Sequence, residues 1–132
     1  MSNLENKLKE IIDTFNNTNK EAAYKEIKKL SEKYNENISV QDVLFQLAKK
    51  IGDIDISIIA LKKIVFVENN NILYLSQLYK LLLGKGMLDE ALRKINSILE
   101  IDNKNYDALR DKSYIYFLKK DYIEAKKYIE NI

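Results

Sequence analysis

The sequence predicts an all-α protein built from about four copies of one helix hairpin, and three observations carry that prediction. Asn37, Asn71 and Asn105 recur every 34 residues, and so do Ala23, Ser57, Ala91 and Ala125. A recurrence of this length marks one supersecondary unit written several times over. Within each copy the apolar residues follow helical spacing. The chain has no proline and only three glycines, so nothing reads as a linker, and no strand alternation is present.

Each element follows from its own residues. In the first copy Leu8, Ile11, Ile12 and Phe15 form an apolar stripe about one residue out of register with the later copies. Ala23, Ile27 and Leu30 mark its second helix. The second copy has Leu44, Phe45 and Ala48, then Gly52, then Ile54, Ser57, Leu61 and Ile64. Ile58 to Val67 is apolar enough for a strand, yet it falls on this second helix. Asp53 is predicted to cap that helix, with Asp55 near the positive end of its dipole.

In the third copy Leu75, Leu78, Tyr79 and Leu82 share one helix face. Gly84 and Gly86 interrupt it, since glycine favours a left-handed helix end. Leu88, Ala91, Leu92, Ile95, Ile98 and Leu99 make the returning helix. The fourth copy offers Leu109, Ser113 and Tyr116, then Tyr122, Ala125, Ile129 and Ile132, of which Tyr122, Ile129 and Ile132 are expected to face inward. The small residues Ala23, Ser57, Ala91 and Ala125 would let the two helices of each hairpin approach closely.

With repeat position 1 at Leu4, Ile38, Ile72 and Tyr106, these columns resemble the tetratricopeptide repeats. That family places large residues at 4, 7, 11, 17 and 24 and small ones at 8, 20 and 27. The third copy fits with Leu75, Leu78, Leu82, Leu88, Ala91 and Ile95. Departures are Phe45 and Tyr79 at position 8, Ile64 and Ile98 at 27, and Asn69 and Asn103 where the family has proline. The resemblance implies a right-handed α-solenoid of about eight antiparallel helices. It implies one domain over 1–132, with repeats near 4–37, 38–71, 72–105 and 106–132, the first divergent as terminal repeats often are.

Composition excludes several kinds of chemistry. Without histidine or cysteine the usual zinc sites, Ser-His or Cys-His nucleophiles and disulfides cannot be built. Asp53 to Ser57 starts like a calcium loop, but Ile58 and Ile64 occupy its glycine and glutamate positions. Gly84-Lys85-Gly86 lacks the remainder of a phosphate loop. No catalytic, cofactor or metal residues are predicted. Lysine and arginine total 22 against 20 acidic residues. Lys25, Lys28 and Lys29 interleave with Glu21, Glu26 and Glu32 as solvated helix faces, which argues against nucleic acid. No apolar run is long enough for a membrane span. The polar start, Met1 to Glu10, is unlike a secretory signal, so a cytoplasmic address is expected.

The resemblance implies that function lies on a concave face lined by the first helices. Candidate partner-binding residues there are Asp42, Gln46, Lys49 and Lys50 in the second copy, and Ser76, Gln77, Lys80 and Leu83 in the third. Arg110, Tyr114 and Phe117 follow in the fourth. The family's clamp for chaperone C-terminal carboxylates is not expected, because its places hold Asp42, Gln46, Gln77, Asp107 and Asp111, or Leu8, Ile12, Val43, Leu73 and Gln77. Lys49, Lys50, Lys80 and Arg110 supply positive charge, and Leu83, Tyr114 and Phe117 supply apolar surface. The predicted partner is therefore a protein segment with apolar and some acidic side chains. The plainer alternative is that Leu83, Tyr114 and Phe117 pack between adjacent repeats. A second reading has the uncovered C-terminal repeat end meet another copy, or the chain continue as part of something longer.

Overall fold

The computed structural model describes residues 2–130. Ile132, expected to face inward at the end of its column, lies outside them. Among the described residues there are eight α-helices and no strand: α1 (Asn3–Asn17), α2 (Lys20–Lys33), α3 (Ile38–Ile51), α4 (Ile54–Val67), α5 (Ile72–Gly84), α6 (Leu88–Ile101), α7 (Tyr106–Leu118) and α8 (Tyr122–Ile129). They fall into two compact units, one up to Glu68 and one from Asn69. In the first, hairpin α1–α2 packs through α2 on hairpin α3–α4, and in the second, α5–α6 packs through α6 on α7–α8.

The asparagine column is a set of helix caps. Asn37, Asn71 and Asn105 precede α3, α5 and α7, and each side-chain oxygen accepts from a first-turn amide: Val40 at 3.0 Å, Leu73 at 3.0 Å and Ala108 at 3.0 Å. These bonds satisfy amides that have no partner inside the helix. The first copy departs here. Ser2 caps α1 by accepting from the Glu5 amide, so Asn3, in phase with the other asparagines, lies inside the helix. Starting one residue early, α1 buries Leu8, Ile11 and Phe15, which accounts for the register shift in the sequence.

The turn inside each hairpin is closed by one recurring bond. Amides of Asn19, Asp53, Met87 and Asp121 donate to the carbonyls of Thr14, Ala48, Leu82 and Tyr116, at 2.8 to 2.9 Å. The residue before the donor is left-handed in three of the four hairpins: Gly52 at φ 77°, Gly86 at φ 76° and Lys120 at φ 64°. Asn19, Asp53 and Asp121 then cap the returning helix with a side-chain oxygen. Met87 offers none.

The small-residue column and the aliphatic column after it are buried in the first three copies. Ala23, Ser57 and Ala91 are buried where the helices of a hairpin cross, and Ile27, Leu61 and Ile95 are fully buried beyond them. The fourth copy differs. Ala125 is buried, but Ile129 is 48 % exposed and Tyr122 59 %, so neither faces inward as its column predicts. Tyr116 instead stacks on Tyr128, with ring centroids 5.7 Å apart. Tyr122 shares its column with Ile54, which is also exposed; at Ile129 the reason is that an inward-facing position of a second helix needs a following element to pack on. None of the described residues supplies one to α8.

Gln41 is a buried polar side chain with full employment. It stands at repeat position 4, where the family has a large apolar residue. Its amide nitrogen donates to the carbonyls of Ser31 (3.1 Å), Tyr34 (3.2 Å) and Asn35 (3.1 Å), and its oxygen accepts from the Ser31 hydroxyl at 2.7 Å. Lys63 donates to the same hydroxyl. The amide thereby ties the last turn of α2, its cap residue and the bend after it to the first turn of α3.

Candidate functional site

The candidate residues lie on first helices in both units. In the first unit, Asp42, Gln46, Lys49 and Lys50 stand on α3. Gln46, Lys49 and Lys50 are exposed and Asp42 is half-buried. Lys49 reaches over the Phe45 ring at 5.9 Å, and Lys50 over the Phe15 ring of α1 at 6.0 Å. Both ammonium groups therefore sit against aromatic surface while keeping access to solvent.

In the second unit, Ser76, Gln77, Lys80 and Leu83 stand on α5, and Arg110, Tyr114 and Phe117 on α7. The two helices are joined by a hydrogen bond from the Tyr79 hydroxyl to Asp111 Oδ2 at 2.5 Å. Burial, then the hydrogen bond to Asp111, push the Tyr79 hydroxyl well above the usual phenol range. It stays protonated and remains a donor. At repeat position 8 the Tyr79 ring is buried in the core and its tip reaches the next first helix.

Arg110 is less free than the sequence suggests. It pairs with Asp107 at 3.4 Å and with Asp111 at 3.3 Å, and lies 5.8 Å from the Tyr106 ring. Its hydrogen bond to Asp111 raises its already high pKa further. The local charge is thus balanced, and a cation seated between two carboxylates has little field left for a ligand. Tyr114 and Phe117 present aromatic surface, being 49 % and 56 % exposed. Phe117 also meets Tyr122 of α8, centroid to centroid at 5.6 Å. Lys80 is exposed and Leu83 half-buried.

Leu73, at a groove position of the third copy, and Tyr106 and Tyr122, outside the candidate set, extend the exposed apolar surface of α5, α7 and α8. Their places in the repeat columns hide the solvent-facing rings of Tyr106 and Tyr122. Lys112 is a further surprise. It stands at position 7, where the second and third copies bury leucine, and it is half-buried. Its ammonium donates to Asn96 Oδ1 at 2.7 Å and sits 4.2 Å over the Tyr128 ring. Burial lowers its pKa. Among the described residues no group of three or more acidic side chains could hold a metal ion, and no helix is long and apolar enough to cross a membrane.

No protein-family profile and no curated protein matches the chain. Solved structures do. MamA of MSR-1 superposes with a TM-score of 0.75 at 18 % identity, over 98 % of this chain and 75 % of that one. MamA of AMB-1 gives 0.77 at 17 % identity, over 95 % and 68 %. A tetratricopeptide repeat protein from Parabacteroides merdae gives 0.74 at 18 % identity, covering 97 % of this chain and 51 % of its own. At these identities the likeness establishes the fold alone: an all-α array of tetratricopeptide-like helix hairpins.

Proposed function

We propose that the chain is a non-enzymatic adaptor that holds a segment of a partner protein against the exposed face of its first helices, in the cytoplasm. The observation that carries this reading is the exposure of Tyr114 and Phe117 on α7. Aromatic side chains left half in solvent are the type that anchors interfaces when covered. Lys80 and Leu83 on α5, with Ser76 and Gln77, supply a charge, an apolar contact and hydrogen-bonding groups on the same unit. Asp42, Gln46, Lys49 and Lys50 offer a comparable face on α3 of the first unit. Because Arg110 is already paired with two carboxylates, Tyr114 and Phe117 are assigned the larger share of the binding energy.

The test is affinity capture with the native chain and with Tyr114→Ala/Phe117→Ala, followed by titration of the purified captured partner. An interface anchor truncated to alanine costs about 2 kcal/mol or more, so affinity should fall at least about thirtyfold. Unchanged affinity in a variant that melts like the native chain would refute the assignment.

A second reading is favoured by α8, where Ile123 is 85 % exposed beside Tyr122 and Ile129. That face would meet another copy of the chain. Sedimentation mass that rises with concentration, and returns to the monomer value in Ile123→Glu, would support it. A monomer at all concentrations would dismiss it.

A further inference from the structure

A different surface, independent of the reading above, lies on the first hairpin. Lys7 of α1 and Lys25, Lys29 and Lys33 of α2 line a shallow cleft of about 510 Å³, floored by Ala22 and Leu30, with Glu26 the single carboxylate. In sequence Lys25 and Lys29 read as part of an interleaved, balanced helix face, whereas the residues that line the cleft are mostly lysine. Lys25, Lys29 and Lys33 recur every fourth residue, so they stand on one side of α2 about 6 Å apart along its axis. Glu26 is engaged by Lys7 at 3.1 Å, which leaves the cleft with a clear positive excess.

We propose that this cleft binds an acidic polypeptide segment whose carboxylates are spaced to match the lysine row. In an extended segment, side chains two residues apart point the same way and are separated by about 6.6 Å, close to the lysine repeat. The apolar floor accepts a small aliphatic side chain between them.

Other anions fit less well. No aromatic side chain lines the cleft for a base to stack on, and stacking carries much of single-strand affinity. Both arginines, Arg93 and Arg110, lie in the other unit, so the planar fork that grips phosphate is missing. A lipid surface would call for exposed large apolar side chains to insert. None of the large exposed hydrophobic residues lines this cleft.

The probe is a fluorescein-labelled peptide of alternating glutamate and serine with one central leucine, measured by anisotropy at low salt. Lys25→Glu/Lys29→Glu should weaken binding by about tenfold or more, since like charges then face the ligand. Lys104→Glu/Lys127→Glu, with the same change in net charge placed on the other unit, should leave it within about twofold, because neither lysine lines the cleft. Equal weakening by both pairs would overturn the proposal, as would no measurable binding. Tighter binding of single-stranded DNA or of phosphatidylserine vesicles at the same ionic strength would also overturn it. Should the charge reversal unfold the hairpin, Lys25→Gln/Lys29→Gln is read in the same way, with a smaller expected loss.

Discussion

Lys120 occupies a backbone conformation that the equivalent positions give to glycine. Its φ of 64° matches Gly52 and Gly86 at 77° and 76°, and its side chain is exposed with no ion pair among the described residues. A side chain in the left-handed region costs roughly 1–2 kcal/mol. Lys120→Gly removes that cost but adds about 0.4–1 kcal/mol of unfolded-chain entropy. Taking one from the other, the native state should gain about 0.5–1 kcal/mol. For a chain of this length 1 kcal/mol corresponds to about 3–4 °C in Tm, so the variant should melt a few degrees higher.

The converse substitution, Gly52→Ala, should lose about as much. No atom lies within 4 Å of a Cβ built there, so the penalty is in the backbone alone. Thermal and urea unfolding followed by far-ultraviolet circular dichroism reads both. A Lys120→Gly variant that melts lower, or a Gly52→Ala variant that melts higher, would show that the shared left-handed turn does not govern stability at these hairpins.

Three other outcomes are expected. Asn37→Ala, Asn71→Ala and Asn105→Ala should each cost about 1 kcal/mol by urea unfolding, because each removes a cap; a loss seen at only one would mean that the column is not a set of equivalent caps. Ile95→Ala, which empties a fully buried site, should cost about 2–5 kcal/mol, whereas the same change at the exposed Ile129 should cost under about 1 kcal/mol; equal losses would mean that Ile129 is buried in solution. Tyr79 and Tyr24 have hydroxyls raised by burial and by hydrogen bonds to Asp111 and Asp53. Their contribution is complete below the ordinary phenol pKa of about 10 and is lost as pH rises above it, toward the folded value. Stability should therefore fall on the alkaline side, and less steeply in Tyr79→Phe; identical alkaline slopes would count against the bond.

The repeat made most of the fold legible, because each column of the sequence has one physical job. Small residues at Ala23, Ser57 and Ala91 sit at crossings, and Gly52 and Gly86 take left-handed turns. Asp53 caps α4 as its position predicts, and the offset stripe in α1 reflects a cap moved to Ser2. Column logic failed where it presumed a neighbour, at Ile129, and at Tyr122, whose column is exposed at Ile54 as well. It failed again where a polar side chain held an apolar place, since Gln41 and Lys112 are explained by partners that only the fold assembles. The candidate site was legible as a helix face but not as a field of charge. The aspartates that neutralise Arg110 are close in sequence, yet nothing in their spacing says that they turn toward it, and Tyr79 reaches Asp111 from 32 residues away.

The amide of Gln41 also sets how this sequence can vary. Its three carbonyl partners sit at the end of α2 and in the bend that follows, while Gln41 itself is held by the first turn of α3. Adding or deleting a single residue between Asn35 and Asn37 would slide those carbonyls away from a donor that cannot follow, leaving buried polar groups unmatched. Leu75 and Leu109 hold the place of Gln41 in the later copies and have no amide to make such a tether, so insertions and grafted loops belong in the bends before α5 and α7. The link between the first two hairpins is a join of fixed length.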